Sequence, residues 1–395
     1  MPITHQSVVT SQLQATIVAP TQQDKNIFDF FLRSVLTTIN SNIELIIIMD
    51  GAQPSVAGVI AKQLPAFAAA NIPITVVANE IPKGWEWCIN WAIKNRRGEH
   101  LITVDSDVIL TEDWIGPLLA HFSPGSKVGA VSGVLCYPQT GGVQHCGVVF
   151  SEDNARHVYL NMQPDALPLQ AFQVQCVIGA LCAVSASALE HVGMMDESYF
   201  NAYSDFDYFM RIGAAGFSIM IDPRVRAYHW ERSSGIHRIS SRKTNLARFW
   251  RQWGNQIKPD LWQFIGEAVN RFSKTYNFSE KEFYAIDLAA SRYESRIFWT
   301  KLAEWGITWC GKDDWSHAIS GLSELWLPAI LGSDGHRHSR PFLILVDNFV
   351  SLLGNHYWAK SRAVFREDDI VMDLYGNIVS FQKLQEKSWP GHKVR

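Results

Sequence analysis

Two aspartates one residue apart, Asp105 and Asp107, follow an apolar run in the stretch Leu101–Leu110, LITVDSDVIL. Residues i and i+2 of an extended chain point to the same side, so the two carboxylates can share one object. Hard divalent cations take carboxylate oxygens and keep positions open for phosphate. A metal-bound phosphate is therefore the chemistry this pair suits. A solvated surface turn is the plain alternative, and a three-residue pattern alone is weak. Other chemistry-bearing residues are scattered. Asp205 and Asp207 lie in SYFNAYSDFDYFMRI, where Ser204 or Asp205 suits a helix cap. His229 stands in RVRAYHWERSSG, where a lone histidine is as readily a satisfied polar residue. Asp50 before Gly51 reads as turn chemistry, Lys83 as a solvated loop charge and His145 as a packing residue. His229, Glu231 and His237 lack the HExxH spacing of a zinc site. Arg238, Arg242 and Lys243 read as a solvated basic face.

The elements that must position these residues alternate. Ala15–Ala19 is a buried strand ended by Pro20, after a frayed lead-in over 1–13. Apolar residues from Ile27 to Ile39 recur at helical spacing. Ile43–Met49 is a second strand, Ser55–Ala70 an Ala-rich helix and Ile74–Ala78 a third strand. Trp85–Asn95 is a helix with Gly98 as its stop, and Leu101–Val104 a fourth strand. Such alternation gives a parallel sheet with right-handed crossovers. Ligands bind at the carboxyl ends of its strands, so Pro20, Asp50, Asp105 and Asp107 converge on one edge. Neither GxxxxGK[ST] nor GxGxxG is present, which excludes the P-loop and dinucleotide-fold ways of holding a nucleotide. Further on, Gln173–Ala186 is apolar with Gly179 in its middle, where a glycine in a strand marks a bulge or a close approach to ligand.

The chain has 395 residues, 47% hydrophobic, enough for a large core and more than one domain. Its net charge of −3 excludes a global basic field for nucleic acid. Six cysteines without a CxxC pair read as free thiols of a reducing compartment. The N-terminus has no basic and apolar regions of a signal peptide. No apolar stretch approaches the ~20 residues of a membrane span.

Several stretches together resemble family 2 glycosyltransferases of the GT-A fold, of the bacterial polysaccharide or O-antigen type, rhamnosyltransferase-like members included. They are ATIVAPT, IELIIIMDG, KGWEWCIN, VDSDVILTEDWIGPLL, YPQTGGVQHCGVVF, VIGALCAVSASALEHVGMMDESYFNAYSDFDYFMRIGAAGF and RAYHWERSSG, within roughly residues 13–260. Each is weak alone, and their shared order carries the resemblance. It implies an α/β, GT-A nucleotide-diphospho-sugar transferase fold with a mostly parallel central sheet flanked by helices. It implies a Mn²⁺ or Mg²⁺ ion, a nucleotide-diphosphate sugar donor and a saccharide or lipid-linked saccharide acceptor. Pro20 marks the donor edge. Asp50 is implied to bond the nucleotide base, and Lys83 and Gly84 to lie near base and diphosphate. Asp107 is implied as the direct metal ligand, Asp105 lies toward the ribose and His229 completes the metal site. Asp205 matches the second residue of the family's ED pair, the general base, and Ser204 replaces its Glu. Asp207 stays open as a competing base, and repulsion between the two carboxylates should favour a proton on one. One base opposite the leaving group gives inversion. The expectation is a metal-dependent inverting transferase, cytoplasmic, with peripheral contact at the inner membrane face and homo-oligomerisation left open. A non-catalytic GT-A-like binding or scaffold protein is the alternative, and a sugar-1-phosphate nucleotidyltransferase ranks below it.

The expected division is a catalytic domain over 1–260 and a mostly helical domain over 261–395 for acceptor binding, oligomerisation or membrane association. Phe283–Ala303, Asp314–Leu331 and Phe342–Trp358 carry helical spacing, Asp334–Arg340 is a polar loop, Asp369–Phe381 is a hairpin turning at Gly376-Asn377, and the tail from Lys383 is polar.

Overall fold

The computed structural model describes residues 3–314, 340–349 and 368–380, apart from 10–11, 23–24, 153, 201 and 231–234. The chain forms two compact units, Met1–Val149 with Gln163–Lys258, and Phe150–Met162 with Pro259–Arg395.

The first unit opens with β1 (Ile3–Gln6), β2 (Leu13–Thr21), α1 (Lys25–Thr38), β3 (Ile43–Asp50), α2 (Pro54–Ala69), β4 (Ile74–Asn79), α3 (Trp85–Asn95) and β5 (Gly98–Val104). β4, β3, β2 and β5 are neighbours in that order and run parallel. Their apolar runs are buried because α1 and α2 supply Phe28, Phe31, Val35, Val56, Ile60 and Phe67 to the same core as Ile17, Leu45, Ile47 and Val76. Glu44 breaks β3's apolar run, and its buried carboxylate takes hydrogen bonds from Thr16 Oγ1 at 2.8 Å, Thr75 Oγ1 at 3.1 Å and Arg97 Nε at 2.9 Å. A buried charge is tolerated when it is so paired, and this one knits β2, β3 and β4.

The lead-in is not frayed throughout: β1 pairs antiparallel with β4 and covers the sheet's edge. Gly98 also has a different role from a helix stop. α3 ends where Arg96 turns extended (φ −60°, ψ 147°), and Gly98 opens β5. A Cβ there would lie 2.2 Å from the Ala15 carbonyl carbon, so glycine lets two strand backbones pair closely.

The chain continues through β6 (Val108–Leu110), α4 (Ile115–Leu119), β7 (Val128–Cys136), β8 (Val143–His145), β9 (Val148–Phe150), β10 (Ala155–His157), β11 (Phe172–Val174), β12 (Leu181–Val184), α5 (Ala186–Val192), α6 (Ser204–Ala214), β13 (Ser218–His229) and α7 (Gly235–Trp253). β12 runs antiparallel between β5 and β7, and β13 runs parallel to β7. The end of β13 then pairs with β6, setting His229 opposite Val108. The apolar stretch Gln173–Ala186 is divided between two strands, β11 and β12, with a turn at Gly179–Ala180 before β12. The first unit is thus a mixed sheet with a parallel half and packed helices, the α/β layout expected from the sequence.

The second unit holds α8 (Leu261–Tyr276), β14 (Phe283–Asp287), α9 (Arg292–Glu304), β15 (Trp309–Asp314), β16 (Phe342–Val346), β17 (Ile370–Asp373) and β18 (Ile378–Ser380). Its sheet runs in the order β15-β14-β16-β17-β18, parallel except for β18. Its described part is therefore α/β, not mostly helical. Phe283–Ala303 merges a strand with α9, and the apolar run Phe342–Val346 is a strand buried along its length. Such short runs carry no period that separates strand from helix. The expected hairpin over Asp369–Phe381 is present as β17 and β18, with Gly376 at φ 82° in its turn. Beyond Asp314, which ends β15, the Asp314–Leu331 candidate lies outside the described residues. So do Phe342–Trp358 past residue 349, the Asp334–Arg340 loop before Arg340, and the tail from Lys383. Phe150–Met162 is fastened into this unit: Arg156 pairs with Glu294 and donates to the Leu374 carbonyl at 3.1 Å, and Tyr159 Oη accepts from Arg271 at 3.0 Å.

Candidate active site

β5 ends at Val104 and β6 begins at Val108, so Asp105-Ser106-Asp107 is a turn, closed by the Val108 N–H donating to the Asp105 carbonyl at 3.0 Å. The carboxylates meet through that turn, not through strand alternation, which corrects the geometric route expected from the sequence. Two backbone bonds fix it. Asp105 N–H donates to the Ala180 carbonyl at 2.9 Å, and Trp230 N–H donates to the Asp107 carbonyl at 3.2 Å. The β13–β6 pairing brings in His229. Its Nε2 is 3.2 Å from Asp107 Oδ1, and ligand atoms of Asp105, Asp107 and His229 all lie within 4.8 Å of one another. Asp107 and His229 are buried, and Asp105 is half-buried. Carboxylate oxygens with one imidazole nitrogen fit a hard or borderline divalent ion such as Mg²⁺ or Mn²⁺. His229 Nδ1 faces Gln144 Oε1 at 2.7 Å.

Trp85 joins this triad to Asp205. Its Nε1–H donates to Asp105 Oδ1 at 3.2 Å. Its ring covers Gly179 so closely that a Cβ there would lie 2.3 Å from Trp85 Cη2. The Gly179 N–H in turn donates to Asp205 Oδ2 at 3.2 Å. Gly179 is thus a close-approach glycine whose neighbour is a tryptophan of α3, where the sequence suggested a bulge or an approach to ligand. Asp205 also takes the N–H of the next residue, Phe206, at 2.9 Å, but the cap position of α6 is Tyr203, which makes no side-chain cap hydrogen bond, so neither Ser204 nor Asp205 is the cap expected from the sequence. Tyr203 precedes α6 in the left-handed region, φ 65°, which is costly for a bulky residue and fixes how α6 begins.

Asp207 goes elsewhere. Residues two apart on a helix point to nearly opposite sides, so the repelling pair expected from the sequence does not form. The Asp207 carboxylate, 1% exposed, accepts from Arg211 Nε, Gln252 Nε2 and Trp253 Nε1, each at 2.9 Å. It fastens α6 to α7.

Asp50 is an anchor too. Buried at the end of β3, it accepts from Asn79 Nδ2 at 2.7 Å and from the backbone N–H groups of Lys83 and Gly84 at 2.9 Å. The carboxylate thereby shapes the loop carrying Lys83 and Gly84. The exposed Lys83 ammonium lies 4.4 Å from the centre of the Trp87 ring. Pro20 is half-buried near the end of β2, paired across from Ile48. His145 is fully buried in β8. Arg242 and Lys243 are exposed on α7, whereas Glu231 and the side chains of His237 and Arg238 lie outside the described residues. All six cysteines are free, and only Cys310 is exposed.

With this geometry in hand, the relatives can be placed. Residues 16–193 match the family model Glycosyl transferase family 2. The match spans the parallel strands and the Asp105–Asp107 turn and stops short of Asp205 and His229. A solved structure of GalNAc-T7 with UDP, GalNAc and Mn²⁺ resembles the chain at TM-score 0.50 with 16% identity, covering 78% of this chain and 57% of that one. That likeness shows the GT-A fold. An uncharacterised protein, y4gI, of Sinorhizobium fredii is 29% identical over 247 residues, 60% of this chain and 26% of its own length. The O-antigen biosynthesis protein RfbC of Myxococcus xanthus is 27% identical over 153 residues, 37% of this chain and 12% of its own length. The chain therefore spans about a quarter or less of the curated relatives it matches.

Sequence reading overlooked Trp85 and Gln144. A tryptophan at the start of a helix gives no sign of which carboxylate it meets. The signal for Gln144 was present: a lone amide in the apolar run around VQHCGVVF must find partners if buried.

Proposed function

We propose that the chain is a metal-dependent inverting glycosyltransferase. It would move a sugar from a nucleotide-diphosphate donor to a hydroxyl of a saccharide or lipid-linked saccharide. The observation that carries this reading is the link from Asp105 through Trp85 and Gly179 to Asp205, which ties a third carboxylate to the Asp105–Asp107–His229 cluster. Asp107 and His229, with Asp105, are the residues that would hold a divalent cation. A cation there supplies neutralisation of the charge that grows on the departing diphosphate. Lys83 and Gly84 line the diphosphate side, held in place by Asp50. Asp205 accepts the proton of the acceptor hydroxyl, a contribution of about 10²–10⁴-fold. Asp205 rather than Asp207 takes this role because Asp207 is committed to Arg211, Gln252 and Trp253. A single base opposite the leaving group makes one direct displacement, which inverts the anomeric carbon.

Among the described residues no helix is long and apolar enough to cross a membrane. The reading places the chain in the cytoplasm, at the inner membrane face if the acceptor is lipid-linked. The test is transfer from UDP-, GDP- and dTDP-sugars with Mn²⁺ present, with NMR of the product. Release of nucleoside diphosphate and an inverted linkage support the reading. A retained linkage, or release of pyrophosphate, contradicts it.

A further inference from the structure

We propose that Gln144 is the positioning residue that makes His229 a metal ligand. The inference rests on the reading of Asp107 and His229 as a cation seat and adds a residue to it. Gln144 lies in β8 and is buried, 5% exposed. A buried primary amide must place both ends on partners or lose free energy. Here both ends meet the same residue. Gln144 Oε1 lies 2.7 Å from His229 Nδ1, and Gln144 Nε2 donates to the His229 carbonyl at 3.4 Å.

This double contact decides which ring nitrogen can bind a cation. A backbone carbonyl only accepts, so the NH₂ end of the amide must face it. That turns the oxygen end toward the ring. The amide oxygen also only accepts, so Nδ1 must carry a hydrogen. The lone pair for a cation is then at Nε2, the nitrogen 3.2 Å from Asp107 Oδ1. Gln144 thus does for His229 what a carboxylate or carbonyl does for most ligating histidines: it fixes tautomer and ring orientation. The sheet holds the amide in place, since β8 pairs with β7 and β7 with β13, which carries His229.

The test is a MnCl₂ titration of the full chain, read as loss of the free Mn²⁺ electron paramagnetic resonance signal. It compares wild type with Gln144→Leu, Gln144→Glu and His229→Ala, with melting temperatures as the check on folding. Removing the acceptor in Gln144→Leu should weaken Mn²⁺ binding by about 10–100-fold. Gln144→Glu keeps an oxygen for Nδ1–H but turns an acceptor toward the His229 carbonyl, so it should weaken Mn²⁺ binding less than Gln144→Leu does. If Gln144→Leu binds like wild type while His229→Ala is weakened, this inference falls and the cation seat stands. If His229→Ala is not weakened, the cation seat falls and the inference with it. Equal losses in Gln144→Glu and Gln144→Leu, both melting like wild type, would also overturn it. Should Gln144→Leu not fold, long-range ¹H–¹⁵N spectra of the Mg²⁺-loaded wild type decide. A proton on Nδ1 of His229 supports the assignment, and one on Nε2 refutes it.

Discussion

Replacing Asp207 with alanine should cost stability and leave the chemistry in place, which separates the two carboxylates that the sequence left open. Asp207 is 1% exposed and binds three donors: Arg211 on its own helix, and Gln252 and Trp253 on α7. Hydrogen bonds to an ionised group contribute about 1.5–3 kcal/mol each, and removing one partner of a buried ion pair costs about 3–5 kcal/mol. The bonds share one carboxylate, so they do not add. Arg211 keeps 24% side-chain exposure, so water recovers part of its loss. The net loss is then about 3 kcal/mol, at the lower end of that range. For a body of 150–250 residues that is a fall in Tm of about 6–12 °C. Calorimetry gives the shift, and turnover per folded molecule at a temperature below both transitions gives the chemistry. A melting point within about 2 °C of wild type would refute the fastening role, the expected fall being several times larger. A folded Asp207→Ala protein without turnover would move the base from Asp205 to Asp207.

Asp205→Asn should keep the wild-type melting point within about 2 °C and bind donor normally, yet lose about 10²–10⁴-fold in transfer rate; unchanged transfer in a steady-state assay would remove Asp205 as base. Gly179→Ala would place a Cβ 2.3 Å from Trp85 Cη2, so Trp85 should leave Asp105. Weakened Mn²⁺ binding in a protein that still folds is the expected outcome, and wild-type binding would contradict the link. Burial works against charge on Asp222, but hydrogen bonds from Arg224 and His121 outweigh it and hold that carboxyl well below the usual carboxylate range. A depressed folded-state pKa gives stability that is present above the unfolded value near 4 and is lost as pH falls. Melting curves of wild type and Asp222→Asn should therefore differ most above about pH 5 and draw together toward about pH 2; a gap that widens on acidification would reverse the sign.

How far the sequence led depends on which residues one follows. Ile43–Met49 is apolar but for Glu44 and bounded by Asp50-Gly51, so its strand and place in a parallel sheet were legible. Asp105 and Asp107 were found by the right pattern for the wrong geometric reason, since the turn that joins β5 to β6 has no signature beyond the aspartates. The same i, i+2 spacing misled at Asp205 and Asp207, where the backbone is helical and the pair diverges. His229 could be matched to a family position, but only the β13–β6 pairing shows why it reaches Asp107. At Asp50 the sequence showed a carboxylate at the end of a parallel strand but not the backbone N–H groups of Lys83 and Gly84 that it holds in the following loop. In the second unit the five-residue strands β14 and β16 were hidden inside helical-looking runs, because runs this short carry no period that separates strand from helix.

The most direct test of the cation seat is a thermal-shift panel of UDP, GDP and dTDP with and without Mn²⁺, run on wild type and Asp107→Ala. A ligand that binds only the folded state raises Tm, by an amount worth about 2.7 kcal/mol at a hundredfold excess over Kd. The account predicts a shift for wild type that needs nucleotide and Mn²⁺ together and that vanishes in Asp107→Ala. An equal shift without Mn²⁺, or one that survives the loss of Asp107, would contradict it.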